Sequence, residues 1–154
     1  MFNYVNEITK CDPTAYVVAL KNITNSSSSS LVDLGEEASK EITKHITEIE
    51  SDYEIEKITL IGYSMGGLVI RSALPYLSSY AKYFENFISI ATPNLGYLNI
   101  NNSLLTSGIW LVDMFAGSKI LSEISLKDSK IIKNCCLTKL SDLEGLSWFK
   151  TGKL

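Results

Sequence analysis

His45 is the only histidine in the 154 residues of this chain. That scarcity leaves a single imidazole as candidate general base. No His, Cys and carboxylate side chains stand at usable ligand spacing, so neither a metal nor a cofactor is expected. The three cysteines are Cys11, Cys135 and Cys136. An odd count with one adjacent pair makes a poor disulfide framework and reads as idle or buried thiols. Positive charge is short: 14 Lys and Arg face 17 Asp and Glu, for a net charge of −3. A chain of that balance has no electrostatic grip on nucleic acid or anionic lipid. Long hydrophobic runs are missing too. The most apolar stretch, 109–115, is short and interrupted by Asp113, so no transmembrane segment is expected. Residues 1–7 lack a basic n-region and a secretory h-region, and a cytoplasmic location is the expectation. What is present is ordinary: 45% hydrophobic and 20% charged residues, enough for one soluble globular domain with a real core.

The informative stretch is Gly62-Tyr63-Ser64-Met65-Gly66, a G-x-S-x-G pattern. The β-branched run Ile58-Thr59-Leu60-Ile61 leads in, and the small, apolar stretch 66–74 leads out. Strand, sharp turn and helix are the context that makes this pattern a nucleophile elbow. A serine hydroxyl is a poor nucleophile until it is presented and activated. A strained turn lifts Oγ clear of the sheet, and glycines two before and two after the serine leave it room. On this reading Gly62 and Gly66 fill both tight places and Gly67 adds slack. The helix that begins at the serine aims free N–H groups at the reacting centre. Ser64 is then the candidate nucleophile, and the Met65 N–H the candidate half of an oxyanion hole. The plainer alternative is a strand-to-helix turn that happens to carry a serine.

Around this motif the pattern predicts alternating elements. Residues 1–8 suggest a short helix. Ala15-Tyr16-Val17-Val18-Ala19-Leu20 reads as a buried strand, and 22–30 as a polar, serine-rich loop. Apolar Leu34, Ala38, Ile42, Ile46 and Ile49 predict a helix over 34–49, with Asp33 as N-cap and Glu36 three residues on. Strand 57–61 follows, then a helix over 66–79 that Pro75 bends or shortens, then strand 87–91 ending in the loop Thr92-Pro93-Asn94-Leu95-Gly96. That order predicts parallel strands with right-handed crossovers, and a site at their C-terminal ends, where Ser64 and Asn94 both fall. Leu104 to Phe115 forms a dense apolar, helix-like segment, equally readable as a lid over an acyl pocket or as plain core. Residues 121–139 suggest further helix, and 140–149 a loop with a short helix.

The acid–base partners of Ser64 are harder to place. On its helix His45 lies eleven residues past Leu34, ~16 Å below the sheet top where Ser64 stands, while a base must come within ~3.2 Å of its hydroxyl. It reads as a packed or half-exposed core-edge residue. Asp113, Asp128 and Asp142 follow the serine, each outside the end of a core strand. Glu36, Glu37, Glu48 and Glu50 read as a solvated helix face.

Residues 61–71 (Ile-Gly-Tyr-Ser-Met-Gly-Gly-Leu-Val-Ile-Arg), 90–96 (Ile-Ala-Thr-Pro-Asn-Leu-Gly), the apolar region around Gly108-Ile109-Trp110 and the segment 140–149 together resemble the lipase-like putative serine esterases, an α/β-hydrolase family. The resemblance covers about 34–149. It implies an α/β fold, an incomplete α/β-hydrolase: three layers around a mostly parallel sheet, with a helical lid-like segment after the third strand. The chain then reads as one partial domain over 1–154, with its core at about 14–96 and the lid-like region at about 97–139. The implied activity is hydrolysis of acyl esters, lipid-like in character, through Ser64 and the Met65 N–H. The chain departs from the family at Tyr63 and Asn94, where members carry histidine. Upstream, the family's histidine-glycine oxyanion loop has no counterpart here, nor do its aspartate and histidine downstream. The resemblance therefore implies a fragment, inactive as given. The rival expectation is a non-catalytic hydrolase-like module that binds a lipid or a protein partner.

Overall fold

The computed structural model describes residues 4–21, 23, 29–96, 118–142, 144–149 and 151–153. Helix α1 (Tyr4–Cys11) opens the chain, and α2 (Leu31–Glu50) follows. Strand β1 (Ile58–Tyr63) runs into α3 (Met65–Ala73), continued by a 3-10 segment (Leu74–Tyr83) and β2 (Phe84–Ile90). Two short helices, α4 (Lys119–Ile124) and α5 (Cys136–Ser141), flank a 3-10 turn (Ile132–Asn134). A further 3-10 turn (Glu144–Trp148) leads to β3 (Thr151–Lys153). The strands form one parallel sheet in the order β1-β2-β3, with Leu60 opposite Phe87 and Tyr63 opposite Ile90. Parallel neighbours joined by helical crossovers make this an α/β fold.

The helices form where the apolar period dictates. Leu31, Leu34, Ala38, Ile42 and Ile46 make one buried stripe on α2, the 3.6-residue pattern of a helix lying on a core. Glu36 and Lys40 pair on its solvated face at 2.6 Å. α2 and α3 cross closely: a Cβ on Gly35 would lie 2.6 Å from the Ser72 carbonyl carbon. From Gly67 to Ala73 every residue of α3 is buried, so this helix is core on all sides. Phe84 stacks on Trp148 and Phe149 at 6.2 and 5.1 Å, which pins the segment before β3 onto β2. Leu60 and Gly62 of β1 face this core, while Ile61 and Tyr63 on the opposite face are 43% and 52% exposed. Among the described residues no helix layer covers that face at those positions. Among the described residues no helix is long and apolar enough to cross a membrane.

Several expectations change. Residues 15–20 form no regular element and pair with no strand among the described residues, and Tyr16 is 68% exposed. A strand is stable only beside a partner, and this segment lies outside the sheet, its next amide, Lys21 N–H, bonded to the Glu41 carboxylate at 3.1 Å. Helix α2 begins three residues earlier than its apolar stripe implies, because Ser30 rather than Asp33 is the N-cap. The Asp33 N–H donates to Ser30 Oγ at 3.2 Å and the Ser30 N–H to Asp33 Oδ2 at 2.7 Å, a reciprocal capping box. The Ser30 hydroxyl donates to Asp33 Oδ2 at 2.7 Å, and this bond first, then that from the Ser30 N–H, holds the Asp33 carboxyl below its ordinary value. α3 stops at Ala73 and a 3-10 run from Leu74 takes over, so of the two expected effects Pro75 shortens the helix rather than bending it, since its ring has no N–H to continue the ladder. Strand β2 starts at Phe84, three residues before its expected start. Residues 121–139 hold two short helices and a turn, not one helix. The apolar segment 104–115, with Asp113, and most of the loop 22–30 lie outside the described residues.

Candidate active site at a strand-to-helix turn

β1 carries the chain to the C-terminal end of the sheet, and α3 starts one residue after Ser64. Ser64 links them with φ 53° and ψ −127°, a conformation that opposes Cβ to the backbone and costs ~1–3 kcal/mol for a residue other than glycine. Two contacts hold it there. The Ser64 N–H donates to the Ile90 carbonyl at the end of β2 at 2.7 Å, and the Gly67 N–H donates to the Ser64 carbonyl at 3.2 Å.

Ser64 stands at the N-cap position of α3, yet its side chain caps nothing. A serine here ordinarily spends its oxygen on a helix N–H. The positive φ turns this one away, leaving the hydroxyl free beside the N-terminal amides. Met65 is the first residue of α3, so its N–H is among those with no acceptor inside the helix. The helix dipole adds partial positive charge there.

The glycines divide their work differently from the motif's spelling. A Cβ on Gly62 would lie 2.5 Å from the Gly67 nitrogen, so strand and helix meet only because both residues lack side chains. A Cβ on Gly67 would also lie 2.8 Å from Thr92 Cγ2, whereas one on Gly66 would meet nothing within 4 Å. The third glycine, not the second, is the tight one. Sequence alone hides this, because the crowding atom belongs to the loop after β2.

That loop is fastened to α3. Ala91 has φ 51°, and the buried Thr92 Oγ1 has no hydrogen-bond partner. Arg71, 5% exposed, donates from Nη1 to Asn94 Oδ1 at 3.1 Å and from Nη2 to the Leu140 carbonyl at 3.0 Å. Asn94 Nδ2 donates in turn to Ser89 Oγ at 3.2 Å. Burial pulls the Arg71 guanidinium below its usual value, and its buried Nε has no partner. Arg71 thus ties together α3, the loop beside Ser64, and α5. Its signal in the sequence is a lone cation amid Leu68-Val69-Ile70 and Ala73-Leu74.

The other candidates do not converge on Ser64. His45 turns its Nδ1 to Glu48 at 3.3 Å and its Nε2 to Glu41 at 3.9 Å, both on its own helix. Asp128 Oδ2 accepts the Cys136 N–H at 2.7 Å, and Asp142 is the exposed C-cap of α5. Tyr63 is half-exposed, on the face of β1 opposite the core. All three cysteines are free thiols. Burial pushes Cys136 up to about 12, so it is no nucleophile near neutrality. Among the described residues no cluster of three His, Cys, Asp or Glu side chains could hold a metal ion.

No solved structure matches the chain. The sequence model of a family described as putative serine esterase (DUF676) matches residues 2–151. That match takes in the elbow, the loop after β2 and the segment leading to β3, and the chain belongs to the putative serine esterase family.

Proposed function

We propose that this chain carries the nucleophile of an α/β-hydrolase that cleaves acyl esters, with a lipid-like carboxylic ester as substrate. Ser64 Oγ attacks the acyl carbonyl, and the Met65 N–H donates to the oxyanion that forms. One observation supports this most: an N-cap serine held at positive φ that caps nothing. A purely structural turn would gain ~1 kcal/mol by capping the helix and would avoid the backbone cost. Both are given up here for an unengaged hydroxyl at a helix N-terminus.

The same residues limit the rate. With His45 turned to Glu41 and Glu48 on α2, Ser64 has no general base among the described residues. Loss of triad members costs several powers of ten in rate. The expected activity of the isolated chain is therefore close to the uncatalysed rate. The test is a chromogenic short-chain ester offered to the purified chain and to Ser64→Ala. Robust turnover abolished by the substitution would reveal a base that this reading lacks; robust turnover indifferent to it would remove Ser64 from the chemistry.

A further inference from the structure

A cavity lies away from the elbow. It has a volume of about 340 Å³ and opens between the start of α2, the end of α3, and the α4–α5 region. Ser72 on its wall stands eight residues past Ser64, ~12 Å further along α3. The volume is at the low end for small-molecule sites.

Its polar groups are unusual. Glu123 lines the cavity at only 4% exposure. Its Oε2 accepts the Leu31 N–H at 2.8 Å, and its Oε1 has no partner among the described residues. Ser72 lines the cavity at 3% exposure, and its hydroxyl also lacks a hydrogen bond among the described residues. The fully buried side-chain atoms without a partner among the described residues are Arg71 Nε and Thr92 Oγ1, so Glu123 Oε1 and Ser72 Oγ keep some exposure and are open to a ligand. Asp128 adds a second negative charge on the wall and Lys139 a positive one. Among the described residues neither carboxylate forms an ion pair with Lys139 or Lys119. The rest of the wall includes the polar Asn134 and the Cys136 thiol beside apolar groups such as Leu140 and the half-exposed ring of Tyr76. Burial raises the Glu123 pKa; the Leu31 N–H and the charge of Lys119 pull it down, and the charges of Asp128 and Asp33 push it up. A buried carboxylate with no cation at ion-pair distance among the described residues gains from an incoming one.

We propose that this cavity is a binding site for a small primary ammonium compound with an apolar or aromatic body, held by Glu123 and Ser72 and covered by Tyr76. The ammonium donates to Glu123 Oε1 and to Ser72 Oγ, while Tyr76 and Leu140 take the body, the ring adding a cation–π contribution. An anion is disfavoured by two carboxylates against one lysine.

The probe is benzylamine, titrated into the ¹⁵N-labelled chain and followed by amide shifts. The expected result is saturable shifts at Ser72, Tyr76 and Glu123, with a Kd on the order of 1 mM. Benzyl alcohol and benzoate should bind at least about tenfold more weakly, and Glu123→Gln, which keeps an acceptor for the Leu31 N–H, should weaken benzylamine by about tenfold. Lys139→Ala removes the competing cation and should tighten binding several-fold, which keeps a test in hand if the Gln variant fails to fold. Ser64→Ala should bind benzylamine unchanged, so failure here says nothing of the esterase reading. Equal binding of benzyl alcohol, shifts elsewhere on the molecule, unchanged affinity in either cavity variant, or no shifts up to about 20 mM would each overturn the proposal.

Discussion

Gly66 and Gly67 are consecutive in the first turn of α3, and the structure assigns them opposite responses to alanine. Both substitutions replace glycine with the best helix former, which stabilises by ~0.5–1 kcal/mol where φ and space allow. At Gly66 the new methyl meets nothing within 4 Å, so that gain should appear whole. At Gly67 it would press on the Thr92 side chain, with Cγ2 at 2.8 Å. Overpacking of this kind costs ~1–3 kcal/mol. Because the propensity gain is common to both, the difference between the two variants isolates the steric cost, about 1–3 kcal/mol. In a domain of this size that separates their melting temperatures by roughly 2–12 °C. Urea unfolding followed by circular dichroism reads the difference, and an unchanged m-value shows that both variants compare the same two states. A Gly66→Ala variant as destabilised as Gly67→Ala would refute the geometry of the turn.

Other outcomes follow from the same contacts. Ser64→Gly should be more stable than Ser64→Ala by ~1–2 kcal/mol in urea, because only glycine takes φ 53° without steric cost; equal stabilities would mean the turn is unstrained. Ser30→Ala should lose ~1 kcal/mol with the capping box of α2, and no loss in urea would show that the cap does not form. Glu123 has a folded pKa above its unfolded value, so its contribution favours the folded state most in acid and falls away as pH rises through the folded pKa. Glu123→Gln should therefore flatten the decline of melting temperature with pH above about pH 4.3, and an unchanged profile would place that carboxyl in water.

The turn was legible in the sequence because everything that makes it is local: the apolar run 58–61, the serine, and the small residues behind it. Helix α2 was legible from its stripe, but its cap was not, since Ser30 ends a run of serines any of which could serve. Residues 15–20 have the composition of a buried strand and are not one, because pairing depends on what lies alongside. The same limit hid the role of Gly67, set by Thr92 some 25 residues later. Arg71 shows it again: the chain displays one cation in an apolar helix, while its partners, Asn94 and Leu140, come from two other parts of the fold. Where chemistry depends on neighbours in sequence, the residues declare it. Where it depends on neighbours in space, they do not.

Acyl transfer to Ser64, a residue only 7% exposed, in the presence of added imidazole is the most direct test of an unengaged hydroxyl without a base. An activated short-chain ester is incubated with the wild-type chain and with Ser64→Ala across a range of imidazole, and the acylated residue is located by peptide mass spectrometry. The two chains should match without imidazole, and with it only the wild type should gain rate and carry the acyl group on residue 64. Equal rates at every imidazole concentration, with acyl groups found only on lysines, would contradict the role assigned to this serine.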